Sequence, residues 1–399
     1  MNRISERVNT PISTVELERR WAAVRAAMEL RGIDVLVAQG NNDHMGGYVR
    51  WLCDLPATNG YPLTVVFPRE EAMTVVMQGP IGGDRELPPE GDGVLRGVGR
   101  VLTTASFASA PYTREYDAEL AARGLEPYAR ATIGLVGTHQ ISFATVEHLR
   151  RRFPDAIYVE ASDLVDDIKA LKSDEEKELI RATAAIQDVA MEAALGAVEP
   201  GRRDSEIAAI ARAACEQLGS EQGVYLCASS PPGEPAPIAP AHLQHRIMRE
   251  GDVFALLVEC NGPGGMFTEL GRSCVVGGPA PPQLAEELAF AVEAQRFCVD
   301  LLRPGAPAAE VFAEYNAFLG RNGRPEEDRI HCHGQGYDMV ERPLLRFDET
   351  MVVHEDHNIT CHPTYVRGGF LCWVCDNFLA GRDGRFERIH RFPQEIVAR

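Results

Sequence analysis

The feature that most constrains this chain is a C-terminal run in which potential metal ligands recur between short stretches of strand-forming residues. It contains His331, Cys332, His333, Gly334, Gln335 and Gly336, then Thr360 to Pro363 and Val374 to Asp376. Residues two apart in a strand share a face, so the sequence predicts that His331 and His333 form a pair. The glycines beside them allow a ligand to approach the backbone. Converging polar groups of this kind indicate a binding or catalytic site.

Length and composition limit the classes of protein that are possible. The 399 residues are enough for two domains, and a hydrophobic content of 45% is ordinary for a packed protein. With 40 basic and 58 acidic residues the net charge is -18, which argues against nucleic acid and anionic membrane as partners. The polar N-terminus lacks the apolar core of a signal peptide, and no apolar stretch approaches the roughly 20 residues of a membrane span. We therefore expect a cytoplasmic protein whose cysteines are reduced thiols.

Two patterns of secondary structure divide the chain. Up to about Leu164, helices alternate with buried strands, which predicts an α/β domain over residues 1–164. From Ser173, where a capping box with Glu176 begins a long helix, the order changes. It becomes helix, helix, strand hairpin (253–258 and 267–276), helix, helix and strands. We place a second domain at residues 165–399.

The second domain resembles the catalytic domain of the superfamily of methionine aminopeptidase, prolidase, aminopeptidase P and creatinase. There a His-Gly-x-Gly turn, a Glu-Pro-Gly turn and a final Glu-Asp bring metal ligands to one site. His333, Gly334 and Gly336 match the first turn. The resemblance covers about 172–393 and implies an α+β pita-bread fold. Residues 1 to about 164 resemble the N-terminal domain of creatinase and prolidase, and the family further implies a homodimer.

The resemblance implies a set of metal ligands that departs from the family pattern. Glu269 and His333 fill the positions of the second Asp and of the His, whereas His362 and Cys375 stand where two Glu are expected. One carboxylate, two imidazoles and a thiolate suit one zinc or iron ion. A metal-free pocket, as in creatinase, fits the same residues. The cofactor is therefore either one divalent metal or none.

Further residues are candidates for substrate binding. The first Asp position falls on an apolar residue just before Glu259, which compensates if the strand register permits. Glu341 matches the Glu of the family's His-Glu-x-Pro turn. Asn59 and Tyr61 lie in the segment where creatinase places contacts that help to close the pocket of the other subunit. We expect these four residues and Cys375 to bind substrate.

Catalysis also requires groups that move protons. The Pro-rich segment 228–241 is typical of a surface loop, and the resemblance suggests a lid from which His242 reaches the site. The candidate catalytic residues are His242, Glu269, His331, His333 and His362. A third role for Cys375 is that of a nucleophile activated by a nearby His. Arg272 matches an Arg of the family and is expected to be a structural ion-pair donor.

These residues favour a creatinase-like hydrolase that cleaves an amide or amidine C–N bond of a small carboxylated substrate. The catalytic Glu of creatinase has Gly271 at its position, so that mechanism does not transfer whole. An Xaa-Pro peptidase is a second candidate, although the loss of metal ligands argues against it. A lyase that acts on a small metabolite by elimination and a non-catalytic binding protein are further candidates.

Overall fold

The computed structural model describes residues 11–42, 44–88 and 91–398 of the chain. These form an N-terminal unit, Pro11–Lys169, and a C-terminal unit that begins at Ala170. The helix Ser162–Lys169 contacts the first helix of the N-terminal unit, so the division falls beyond the 164/165 boundary expected from the sequence. Within the described residues, no helix combines the length and the apolar character that crossing a membrane requires.

The N-terminal unit is built on one seven-stranded mixed sheet. Its helices are α1 (Thr14–Arg31), α2 (Gly47–Cys53), α3 (Tyr116–Leu125), α4 (Phe143–Arg152) and α5 (Ser162–Lys169). Its strands are β1 (Val35–Gly40), β2 (Leu63–Pro68), β3 (Met73–Gln78), β4 (Gly83–Glu86), β5 (Val98–Thr104), β6 (Thr132–Val136) and β7 (Ile157–Glu160). The spatial order is β4-β5-β3-β2-β1-β6-β7, and the predicted α/β architecture is confirmed.

Local signals in the sequence explain the elements of this unit. The Ser13 side chain accepts a hydrogen bond from the Glu16 N–H and caps α1, which ends at Gly32 with φ +63°. The β-branched residues of the central strands, such as Val37 and Val66, are fully buried against α3 and α4. Burial on both faces explains why these strands are continuous apolar runs in the sequence.

The C-terminal unit contains two larger sheets and one hairpin. Its helices are α6 (Asp174–Gly196), α7 (Asp204–Gln217), α8 (Pro282–Leu301) and α9 (Ala308–Arg321). Its strands are β8 (Gly223–Ser230), β9 (Val253–Asn261), β10 (Phe267–Val275), β11 (Cys332–Gly334), β12 (Glu341–Leu344), β13 (Asn358–Cys361), β14 (Thr364–Arg367), β15 (Phe370–Trp373), β16 (Asp376–Ala380), β17 (Phe386–Arg388) and β18 (Val397–Ala398). The sheet orders are β18-β10-β9-β8 and β12-β11-β13-β16-β17, with β14 and β15 paired separately. The predicted order of elements is confirmed, and β8 is a strand that the sequence pattern did not reveal.

Each larger sheet of this unit has its own pair of helices. Helices α6 and α7 share a buried core with β8 to β10, while α8 and α9 share another with β11, β13 and β16. The capping box that begins α6 is complete, because Ser173 and Glu176 each accept a hydrogen bond from the other's backbone N–H. The two sheets meet where Gly271 and Cys375 exchange backbone hydrogen bonds of 3.1 and 3.3 Å. The candidate site lies at this junction.

Candidate active site

Two glutamates of the β9–β10 hairpin lie side by side in the candidate site. Glu259 and Glu269 are directly opposite each other in the antiparallel register. Opposite residues of neighbouring strands project from the same face, with Cβ atoms about 4.5–5.5 Å apart. Both side chains are buried. The register thus supplies a second carboxyl group next to the position at which this chain lacks the first Asp of the family pattern.

Burial controls the protonation of this pair. It raises the pKa of Glu269 to about 7, an effect that hydrogen bonds donated to the carboxylate by Cys375 and Thr360 partly offset. The pKa of Glu259 is raised well above its usual range by burial and then by the Glu269 charge, against a hydrogen bond from Gln335. Glu269 therefore ionises first, and Glu259 keeps its proton. Two carboxyl groups whose pKa values are pushed apart are suited to opposite acid and base roles.

Two imidazoles adjoin Glu269. His333 on β11 has its Nε2 3.9 Å from Glu269 Oε2. Its Nδ1 lies 2.9 Å from the carbonyl of Gly334, so Nδ1 carries the proton and Nε2 is left with a free lone pair. The partly exposed His362 follows β13, and its ring centroid is 5.3 Å from that of His333.

Both of these histidines are uncharged at neutral pH. Burial lowers the pKa of His333 to about 4. The pKa of His362 is held well below its usual range by burial and by the neighbouring histidines. Neutral imidazole is the form that binds a metal ion.

A buried network of side-chain amides holds the glutamates, and the sequence reasoning missed it. Gln335 Nε2 donates to Glu259 Oε1 at 2.8 Å, and Asn377 Nδ2 donates to Gln335 Oε1 at 2.8 Å. Asn377 Oδ1 accepts from the Glu269 N–H at 2.7 Å, and Asn377 Nδ2 also reaches Asn358 Oδ1 at 3.2 Å. The available signal was the presence of amide side chains within apolar strand runs, since buried amides need polar partners.

Cys375 lies beside the carboxylates, but its sulfur is not part of the group that Glu269, His333 and His362 form. The Sγ donates to the Glu269 carbonyl and contacts Thr360 Oγ1, both at 3.5 Å. Burial raises the pKa of this thiol well above its usual range, and the Glu269 charge adds to the effect. A buried neutral thiol is a poor nucleophile. Among the described residues, the ligand atoms of Glu269, His333 and His362 lie within 4.8 Å of one another, without Cys375.

His331 is not brought into this group. Strand β11 begins at Cys332, so the alternation that was expected to place His331 on the face of His333 does not extend to it. The His331 ring instead stacks on Tyr315, with centroids 3.9 Å apart. Its Nε2 lies 3.5 Å from Cys298 Sγ. The side chain therefore belongs to the core between the sheet and helices α8 and α9.

The remaining predicted residues have other surroundings. His242 is exposed in the short 3-10 helix Ala241–Leu243. Glu341 accepts a hydrogen bond from Lys172 Nζ at 2.7 Å in a buried ion pair. Asn59 and Tyr61 are exposed residues of the N-terminal unit. The ligand group of the C-terminal unit contains none of them.

Two residues of β10 clarify the relation to creatinase. A Cβ at Gly271 would lie 2.2 Å from the ring of Trp373, so the position of creatinase's catalytic Glu cannot hold a side chain without rearrangement. The neighbouring Arg272 is buried and its Nη2 donates to Asp376 Oδ1 at 2.6 Å. It also donates to the carbonyl of Cys375 at 2.8 Å. The predicted structural ion pair of Arg272 is confirmed.

The donor set of the site fits one metal ion. Glu269, His333 and His362 provide one carboxylate and two neutral imidazoles, and three protein ligands with a fourth open position are typical of catalytic zinc. Two-metal sites place the two ions about 3.5–4 Å apart and clamp the reacting oxygens between them. Because this group contains a single carboxylate, it suits a mononuclear centre.

The fold and the site define a two-domain protein whose pita-bread unit brings a carboxyl group and two imidazoles together. Residues 178–382 match the model of metallopeptidase family M24. This match covers more than half of the chain, and the protein belongs to metallopeptidase family M24, a family of hydrolases.

Two curated relatives are dipeptidases by name. The Xaa-Pro dipeptidase of Pyrococcus furiosus is 26% identical over 241 residues, which are 58% of this chain and 66% of the relative. The probable dipeptidase PepE of Mycobacterium tuberculosis is 25% identical over 242 residues, or 59% of this chain and 63% of the relative. The matched part thus spans just under two thirds of the length of each relative.

Solved structures of the same fold align over nearly the whole chain. Dipeptidase PepE from Mycobacterium ulcerans has a TM-score of 0.75 at 21% identity, covering 97% of this chain and 99% of its own. A prolidase from Thermococcus sibiricus has a TM-score of 0.77 at 17% identity, covering 97% and 100%. The expected fold, an α/β N-terminal domain followed by a pita-bread catalytic domain, is confirmed.

Proposed function

We propose that this protein hydrolyses the amide C–N bond of a short peptide-like substrate, as an Xaa-Pro dipeptidase does. The observation that carries the proposal is the convergence of Glu269, His333 and His362 ligand atoms within 4.8 Å. The similarity to relatives named Xaa-Pro dipeptidase supports an amide of peptide type as the substrate.

The same three side chains would hold a single zinc or iron ion. When bound, such an ion supplies the Lewis acidity that activates water and polarises a carbonyl. The Nδ1–H of His333 donates to the Gly334 carbonyl, which fixes the ring and directs Nε2 toward Glu269. His362 is partly exposed and marks the side from which a small substrate enters.

Glu259 is the proton donor in this proposal. An amide nitrogen leaves as an amine, so it must gain a proton when the C–N bond breaks. Glu259 retains its proton after Glu269 ionises, because burial and the Glu269 charge both raise its pKa. Gln335 donates to Glu259 Oε1 and orients the carboxyl group. The proton lost by the attacking water restores Glu259.

A hydrolase of non-peptide C–N bonds is the second candidate. It is favoured by the two positions at which the family pattern has Glu and this chain has His362 and Cys375. Neither replacement provides a carboxylate for a second ion. Gly271 argues against the creatinase mechanism itself, because a catalytic Glu at that position would collide with Trp373.

Substrate panels separate these candidates. Chelator-treated protein, alone and reloaded with zinc or ferrous iron, would be assayed with Xaa-Pro dipeptides and with small non-peptide amides and amidines. We expect release of proline only from reloaded protein. Turnover of the non-peptide compounds alone would favour the second candidate, elimination products would indicate a lyase, and no turnover with any compound would refute the proposal.

Variants at Glu259 test its role. Glu259→Gln is expected to lower kcat by about 10²–10⁴-fold, as loss of a general acid does, with the metal content unchanged. Glu314→Gln removes an exposed carboxylate of α9 and serves as the matched control. Unchanged kcat in Glu259→Gln would assign the proton to another group.

We also propose, on the family resemblance, that the protein is a homodimer. Light scattering would test this.

A further inference from the structure

Three cysteines from separate elements converge behind the active-site strands. Cys298 lies on α8, Cys332 on β11 and Cys361 on β13. Their Sγ atoms all lie within 4.8 Å of one another, and all three residues are fully buried. Cys332 and Cys361 are direct neighbours in the antiparallel register, and Cys298 approaches them from the helix that covers the sheet.

An imidazole adjoins this cluster. His331 Nε2 lies 3.5 Å from Cys298 Sγ, and its Nδ1 is buried without a hydrogen-bond partner in the described part of the chain. Fully buried imidazoles normally have both nitrogens engaged. Its ring is held in place by stacking on Tyr315. An imidazole therefore lies at the edge of the cluster, next to Cys298.

These distances approach those of a tetrahedral thiolate centre. Zn–S bonds of about 2.3 Å and Zn–N bonds of about 2.0–2.1 Å give S···S separations of roughly 3.8 Å and S···N separations of roughly 3.5 Å. The contact between His331 and Cys298 already has this length, at 3.5 Å. The sulfur atoms, within 4.8 Å of one another, need to approach by about 1 Å at most.

Simple hydrophobic packing explains this arrangement less well than metal binding does. Free cysteines are common as small apolar residues in cores. Cys372 belongs to the same hydrophobic core and is equally buried, yet it is outside the cluster. The three clustered thiols come from three elements and meet beside His331, whose Nε2 lies 3.5 Å from Cys298 Sγ.

We propose that Cys298, Cys332 and Cys361 bind a thiophilic divalent ion of the zinc type through their three sulfur atoms. This site is distinct from the Glu269, His333 and His362 group. Cys332 directly precedes His333 and Cys361 directly precedes His362 in the sequence. The ion therefore fixes the two backbone segments that carry the active-site histidines and ties them to α8.

Cobalt(II) is a suitable probe, because its bonds to thiolates produce near-ultraviolet charge-transfer absorption. Reduced, chelator-treated full-length protein would be titrated with Co(II), and bound cobalt would be counted by elemental analysis. We expect the parent protein to show the thiolate absorption. Cys361→Ala should lose this absorption and one bound ion per chain, whereas the matched control Cys372→Ala should keep both.

Two further variants separate this site from the active site. Cys375→Ser should retain the absorption, because the proposed thiolates are those of the core cluster. His362→Ala should lose the active-site ion but keep the absorption, so failure of one site is distinguishable from failure of the other. If Cys361→Ala does not fold, the Cys375→Ser spectrum decides the question. Absence of thiolate absorption in that variant, or a disulfide between two of the three cysteines in place of metal uptake, would overturn the proposal.

Discussion

Replacing Glu269 by Gln in metal-free protein should stabilise the fold in a pH-dependent way. Burial raises the pKa of Glu269 from 4.5 to about 7 in the folded protein. The folded state thus binds this proton more tightly than the unfolded chain does, so the contribution of Glu269 to stability falls as pH rises from 4.5 through about 7. A shift from 4.5 to about 7 corresponds to about 3 kcal/mol at 1.36 kcal/mol per pKa unit.

The neutral amide of Gln has no such penalty at any pH. The variant should therefore gain about 3 kcal/mol relative to the parent between pH 4.5 and pH 8, whatever constant effect the amide has on packing. Removal of the Glu269 charge also relieves Glu259, which acts in the same direction.

Urea unfolding followed by circular dichroism at several pH values, with chelator present, would measure this difference. The control Glu314→Gln replaces an exposed glutamate and should change stability by less than about 0.5 kcal/mol throughout. A difference between Glu269→Gln and the parent that is the same at pH 4.5 and at pH 8 would refute the reasoning, because burial would then not control the Glu269 proton.

Three other substitutions test the surrounding structure. Gln335→Leu removes the side chain that donates a hydrogen bond to Glu259, and it should lower kcat/KM by about 10–100-fold in steady-state kinetics. Activity equal to that of the parent would contradict the orienting role of Gln335. Gly271→Glu forces a side chain into the ring of Trp373 and should cost about 3 kcal/mol or prevent folding, so parent stability in urea would be evidence against the close contact. Arg272→Met removes the nearer of two arginines that pair with the buried Asp376, since Arg388 Nη1 remains 3.5 Å away, and should cost about 3 kcal/mol. The double variant with Asp376→Asn should recover part of that loss in thermal unfolding.

The sequence alone located much of the candidate site, because family motifs lie in short contiguous segments. His333 was identified by the glycines that follow it, and Glu269 by its place three residues before Arg272. The ion pair of Arg272 was expected for the same reason. The roles of His242 and His331 were not predictable in this way, since they depended on loop position and on a strand that begins one residue later than the pattern suggested.

What the sequence determined by itself was the order of helices and strands, the family and most residues of the candidate site, because periodicity and motif spacing are local properties of the chain. Only the tertiary structure decided that Glu259 opposes Glu269, that side-chain amides orient the pair, and that three distant cysteines meet. Strand register and helix placement result from packing between segments far apart in sequence, and a one-residue change of register would move each side chain to the other face.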